Sequence, residues 1–126
     1  MPILHVSTNL TDDQISDGFI QRAFEKVFEL TGRPKFFIQI VVNANQKICF
    51  GGSFEPSAFV QLYEITEYTD EQSRKTAQSL NKFLANELKI NGYSLFLIAN
   101  RRILFVHDGQ LIGDLLAKMQ KAGNKY

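Results

Sequence analysis

Pro2 is the residue of this 126-residue chain with the least ordinary chemistry open to it, because it stands directly behind Met1 at the mouth of the strand-like run I3-L4-H5-V6-S7-T8. At a strand's first position a proline loses little by lacking an N–H. With Met1 removed, the same residue carries a rigid secondary amine that accepts a proton when uncharged. Position alone leaves both readings open. The other reactive side chains are few. His5 and His107 have no Ser or Cys partner at a readable spacing, and read as hydrogen-bonded strand or loop histidines. Cys49 is the single cysteine, so no intrachain disulfide is expected, a reducing compartment fits, and the residue reads as a small hydrophobe in the apolar stretch I48-C49-F50. No Cys/His cluster offers a metal its usual ligands, so no metal and no cofactor is expected. The pair G51-G52 lacks both a following Lys-Ser/Thr and a G-x-G-x-x-G spacing, so it reads as a tight turn rather than a phosphate cradle.

The elements that position these groups occur twice. T11-D12-D13-Q14 and T69-D70-E71-Q72 are both capping-box patterns, a Thr N-cap followed three residues later by Gln, and each is expected to start a helix. After the first box Ile15, Phe19, Ala23 and Val27 recur at helical spacing, with Ile20, Phe24 and Phe28 beside them, up to Gly32. After the second, Ala77, Leu80, Leu84 and Leu88 do the same up to Gly92. Arg22, Glu25, Lys26 and Glu29 read as a solvated face with i,i+4 pairing. Strand patterns flank both helices: Ile3 to Thr8 and Phe59 to Thr66 ahead of the boxes, Phe36 to Val42 and Leu95 to Ala99 behind the helices. The unit is therefore β-α-β, twice, over pseudo-repeats at about 1–50 and 57–108 of a single domain spanning 1–126. The fold class is α+β, with a four-stranded sheet and two helices on one of its faces, a ferredoxin-like arrangement. Phe36, Ile38, Ile40 and Val42 alternate with Phe37 and Val41, so both faces of the sheet are expected to be apolar and self-association to cover the open one. R101-R102-I103-L104-F105-V106 reads as a further strand, and Leu111 to Met119, within an extension at about 109–126, as a short terminal helix.

Composition narrows the function classes. The chain is 44% hydrophobic and 21% charged, ordinary for one soluble domain. Lys plus Arg number 14 against 13 Asp plus Glu, a net charge of +1 that gives no reason to expect nucleic acid or an anionic membrane as partner. No apolar run approaches the ~20 residues of a membrane span, and the first ten residues lack the basic start and long apolar stretch of a signal peptide. The expectation is a cytoplasmic protein, or one exported without a signal peptide.

Taken together, Pro2 ahead of a strand, the turn T31-G32-R33-P34 after a helix, the midpoint run F50-G51-G52-S53-F54-E55-P56, a strand ending in Ile65 and the second helix resemble the macrophage migration inhibitory factor family of the tautomerase superfamily, from Pro2 to about Ile98. The resemblance implies two β-α-β repeats per subunit and a homotrimer whose sheets form an inner barrel, which meets the need of the open face. It implies keto–enol interconversion of small aromatic 2-keto acids of the phenylpyruvate and dopachrome type, with cytokine-like secretion and a cell-surface receptor protein as a further partner. Pro2 is then the catalytic base. An ordinary α-amine titrates at about 7.7–8.0, and apolar walls, for which Phe37, Ile65 and Phe96 are candidates, disfavour its charged form. Arg33 falls where the family usually carries a lysine for the substrate carboxylate, and its planar fork suits the same anion; the alternative is a solvated cation near a helix C-terminus. Ile65 matches a wall position of the pocket, although its periodicity says only core.

Three departures from the family pattern bear on activity. Phe96 and Ile98 replace a tyrosine and an asparagine contributed by the neighbouring subunit, so weak turnover is expected. S57-A58-F59-V60 replaces the prototype's Cys-x-x-Cys, which leaves no thiol oxidoreductase chemistry. The third lies beyond Ile98, where R101-R102 and the charged terminal segment leave the pattern. The runner-up reading is a non-enzymatic, cytokine-like binding protein with a degenerate pocket.

Overall fold

A computed structural model describes residues 2–64, 69–91, 95–100, 106–107 and 110–111, with side chains over the first two segments. Its sheet grows outward from β1, Ile3–Thr8, whose side chains alternate between buried and half-buried. β2, Gln39–Asn43, lies parallel to β1, with Ile3 opposite Gln39. β3, Ala58–Tyr63, runs antiparallel on the other side, with Ile3 opposite Tyr63 and Thr8 opposite Ala58. β4, Leu95–Asn100, is parallel to β3. The order β2-β1-β3-β4 is thus two parallel β-α-β pairs joined through an antiparallel centre, the expected architecture.

One face of this sheet is the core. Leu4, Val6, Ala58, Val60 and Leu62 point inward with the apolar rows of α1, Phe19–Thr31, and α2, Asp70–Leu88. Those rows are Phe19, Ala23 and Val27 on α1 and Leu80, Leu84 and Leu88 on α2, each four residues apart and therefore stacked along one side of its helix. Each buried leucine contributes roughly 1.5–3 kcal/mol. Ala77 does not join its row and is exposed, as are Ile20 and Phe28, whereas Ile15 and Phe24 pack against the core from its margin.

The first capping box caps less than its pattern suggests. Gln14 accepts the Thr11 N–H at 2.9 Å, but the turn it closes is a single one of 3₁₀ type, Asp12–Gln14. The Thr11 hydroxyl also bonds the Asp13 carboxylate and holds it below the usual carboxylate range. Ile15 is extended, and α1 begins only after Gly18, whose φ of +79° is a conformation that favours glycine. A Cβ there would also lie 2.8 Å from Arg22 Nη1. Arg22 fixes this entry: it donates to the Asp17 carbonyl and the Ser16 hydroxyl and, through Nε, to Glu87 on α2 at 2.9 and 3.1 Å. The charges of α1 are thus not paired at i,i+4. Arg22 reaches across to α2, Glu25 meets Lys35, and Lys26 meets Glu29 three residues on. The second box is complete, with Thr69 Oγ1 accepting from Gln72 N and Gln72 Oε1 from Thr69 N. α2 ends at Lys89, in the left-handed conformation, before Gly92 is reached.

Pro34 delays the strand after α1. Lys35–Phe37 form a 3₁₀ turn behind it, and β2 starts at Gln39 rather than Phe36. The outward row of β2 is consequently Gln39, Val41 and Asn43. The open face is mixed rather than apolar throughout: Ile3, Val41 and Phe59 share it with His5, Ser7, Gln61 and Tyr63. Across it the Asn43 side-chain amide donates to His5 Nε2 at 2.6 Å. Gly51 and Gly52, at φ +59° and +80°, form the expected two-residue turn, closed by reciprocal bonds between Phe50 and Ser53. Cys49 beside it is exposed and lies outside any strand, not in an apolar stretch of sheet. Thr8 and Asn9 clamp the junction that follows, the hydroxyl on the Ser57 carbonyl and the amide on the carbonyls of Phe54 and Glu55 and the Ser57 N–H. Farther on, Val106–His107 (β5) pairs with Gln110–Leu111 (β6), so Leu111 belongs to a strand instead of opening a helix. The rest of that helix, residues 112–119, and residues 101–105 lie outside the described residues, as do Thr66 and Gly92.

Two stability measurements check this packing. Leu84→Ala is expected to lower unfolding free energy by about 2–5 kcal/mol in urea titration, whereas Ala77→Ser should stay within about 0.5 kcal/mol. Thr69→Ala should cost about 0.5–2 kcal/mol, and Thr11→Ala less, because Thr11 caps only the single 3₁₀ turn Asp12–Gln14 while Thr69 caps α2.

Candidate active site

The site assembles where β1 and β2 begin and β3 ends. Pro2 is fully buried there, and its carbonyl accepts the Gln39 N–H at 3.0 Å, which ties the start of β1 to the start of β2. The approach to β2 is a chain of local bonds. Gly32, in the left-handed conformation, returns its N–H to Phe28 and ends α1. Thr31 Oγ1 donates to the Val27 carbonyl at 2.8 Å and accepts the Arg33 N–H at 3.3 Å. The turn behind Pro34 then closes with Phe37 N–H on the Pro34 carbonyl and Ile38 N–H on that of Lys35. Phe37 ends up 1% exposed at this corner, while Phe36, tilted against it at 4.4 Å between ring centroids, is 67% exposed. The two neighbours in sequence are thereby split between core and surface.

Arg33 does not extend into solvent. Its side chain is 11% exposed, and its Nε lies 3.4 Å from Oε1 of Glu64, which is 3% exposed. Continuing the β1–β3 register by one residue from Ile3 and Tyr63 sets Glu64 opposite Pro2. Pro2, Phe37, Arg33 and Glu64 therefore share one corner of the fold. Glu64 is the member that sequence reasoning missed. The signal was present in the alternation Ala58, Val60, Leu62, Glu64, which drops a carboxylate onto the inward row of an otherwise apolar strand. At this separation the pair attracts by about 5 kcal/mol if the effective dielectric is about 20. That attraction offsets a desolvation cost of several kcal/mol per ion.

Two other expected residues are not brought to this corner. Phe96 pairs with Phe59, which pairs with Ser7, and Ile98 pairs with Gln61, which pairs with His5. Those rows lie ~16 Å and ~10 Å along β1 from Pro2, with two strand spacings in between. Within one chain, Phe96 and Ile98 are thus remote from Pro2. Ile65 lies outside the described residues, as do residues 65–68 in general. No group of three or more His, Cys, Asp or Glu suited to a metal ion occurs among the described residues. No helix among them is long and apolar enough to cross a membrane.

Comparison with known proteins places this architecture. The family model described as macrophage migration inhibitory factor (MIF) matches residues 1–98. A macrophage migration inhibitory factor homolog of Brugia malayi is 36% identical over 90 residues, which cover 71% of this chain and 78% of the relative. The homolog of Trichuris trichiura is 31% identical over 97 residues, 77% of this chain and 85% of the relative. Among solved structures, macrophage migration inhibitory factor from Trichinella spiralis superposes with a TM-score of 0.81 at 21% identity, over 86% of this chain and 98% of the other, a likeness that speaks to the fold. With the matched region running from the buried proline through both repeats, the chain belongs to the macrophage migration inhibitory factor family.

Proposed function

We propose that the chain is a tautomerase that moves a proton between the carbon and oxygen ends of a small aromatic 2-keto compound, with Pro2 as the base. The observation that carries this reading is the burial of Pro2, bonded through its carbonyl to Gln39 two residues after the buried Phe37, at the end of the fold where Arg33 meets Glu64. Removal of Met1 exposes a secondary amine there, and apolar surroundings favour its uncharged, proton-accepting form. The amine takes a proton from the carbon beside the carbonyl, the electron pair moves into the enol system, and the ammonium returns the proton at the other end. No group is consumed. Arg33, with the Glu64 carboxylate beside it, orients the polar end of the substrate, and Phe37 faces its ring.

The assembly proposed with this reading is a homotrimer. Phe96 and Ile98 stand rows away from their own Pro2, so they reach a prolyl nitrogen only if a neighbouring copy supplies them. Neither side chain donates a hydrogen bond to the developing enolate, and slow turnover follows. A family member of this kind is also a candidate for signalling to a cell-surface receptor from outside the cell. That second reading draws on the internal pairing of Arg33, which reduces what the corner offers an anionic substrate.

Matured protein, with removal of Met1 verified by mass, is expected to ketonise enol-phenylpyruvate slowly. Pro2→Gly should remove most of that rate, and equal rates in parent and variant would take Pro2 out of the mechanism. The rate of the parent should rise with pH through the titration of the amine and then level, because the uncharged form is the base. Phe96→Tyr is expected to raise kcat by tenfold or more by restoring a donor; an unchanged kcat would show that no donor is needed there.

A further inference from the structure

We infer that Glu64 is a built-in substitute for the substrate carboxylate, and that by balancing Arg33 from within the chain it makes the pocket select uncharged aromatic carbonyl compounds, such as 2-keto esters, over the corresponding acids. The inference rests on the reading of this corner as a tautomerase site and names its substrate class. Three observations carry it. Glu64, the residue after β3, continues that strand's inward row to the level of Pro2, and Ala58, Val60 and Leu62 before it are apolar and packed into the core. It is 3% exposed, and Arg33 is 11% exposed, so both charges are already out of water. They lie 3.4 Å apart through Arg33 Nε and Glu64 Oε1, so the cation is electrostatically matched before any ligand arrives.

An incoming carboxylate meets a different site from the one a lone arginine would provide. If Glu64 stays, two carboxylates compete for one guanidinium in a low-dielectric corner and repel each other. If Glu64 is displaced, its carboxylate must leave the cation from a buried position just past the end of β3, where water does not replace that contact. An ester or ketone raises neither difficulty. Its carbonyl asks for a donor, brings no charge, and leaves its aromatic ring to Phe37. Glu64 thus acts on specificity through Arg33, and it touches neither the proton in flight nor the carbon that loses it.

The experiment compares acid and ester on the matured chain by two readouts. Turnover is measured with the enols of phenylpyruvate and of its methyl ester. Binding is measured by calorimetry with 3-phenylpropanoate and methyl 3-phenylpropanoate, which report recognition without requiring chemistry. The parent is expected to favour the ester at least tenfold in affinity and in kcat/KM. Glu64→Gln should shift the acid-to-ester ratio toward the acid at least tenfold, and Arg33→Gln combined with Glu64→Gln should abolish that shift. A general loss of packing would lower both probes together and leave the ratio where it was. A parent that favours the acid, a ratio that moves less than twofold in Glu64→Gln, or binding of neither probe to parent or variant would overturn the inference. Should Glu64→Gln not fold, Glu64→Ser tests the same shift, and the parent's own ratio decides without any variant. Binding with the expected ratio but without turnover would sink the tautomerase reading and leave the role of Glu64 standing.

Discussion

Antiparallel pairing of β1 with β3 is the constraint on which the rest of this structure depends. Each β-α-β unit by itself offers one parallel pair and a helix with an unmatched apolar row. Laying Ile3 against Tyr63 and Thr8 against Ala58 merges the two half-cores into one, with Leu4, Val6, Val60 and Leu62 at its centre. The same register carries Pro2 to the level of Glu64. A slip of one residue would turn the buried row of β1 outward and separate the proline from the charged pair. Core and candidate chemistry are thus set by one ladder of hydrogen bonds.

The corner created by that ladder is an unusual place for charge. Buried ions contribute little net stability unless each is matched, and removing one partner is costlier than removing both. Arg33 arrives from the end of α1 through a turn fixed by Thr31, Gly32 and Pro34, whereas Glu64 arrives from the far end of β3. Their encounter links the first repeat to the second at the corner that holds Pro2. Arg22 and Glu87 make a second link, helix to helix, but in an exposed setting where solvent screens it. The two pairs therefore differ in kind: one joins the helices at the surface, the other is buried where β1 begins and β3 ends.

How much of this was legible in the sequence follows from how local each determinant is. β1, α2 and the Gly51–Gly52 turn announce themselves through alternation, a complete capping box and a pair of glycines, all signals within a few residues. The first capping box misled because its closing bonds are those of any tight turn. What continues or stops the helix is the conformation of Ile15 to Gly18, and that depends on Arg22 gripping Ser16 and Asp17 while reaching Glu87. The start of β2 was misplaced because its β-prone residues follow a proline that first closes a 3₁₀ turn. Pro2, Arg33 and Phe37 were recognisable by resemblance, and the fold brings them to one corner. The partner of Arg33 was not, since nothing local links residue 33 to residue 64. Phe96 and Ile98 were named as site residues from a neighbouring copy, and their register far from the chain's own Pro2 agrees with that origin without demonstrating it.

The position of β1 inside the sheet, flanked by β2 and β3, has a consequence for how the protein is made. β1, an interior strand, leaves the ribosome before either of its two neighbours. Its parallel neighbour follows after one helix, but its antiparallel neighbour is synthesised only after the whole first repeat and the glycine turn have emerged. During that interval one edge of β1 presents unpaired backbone groups, and the nascent half-sheet is open to pairing with other chains. His5 and Ser7, polar residues on the outward row of that strand, lower the hydrophobicity of the exposed edge while it waits. Folding yield, more than final stability, is where a substitution on that row would first be felt.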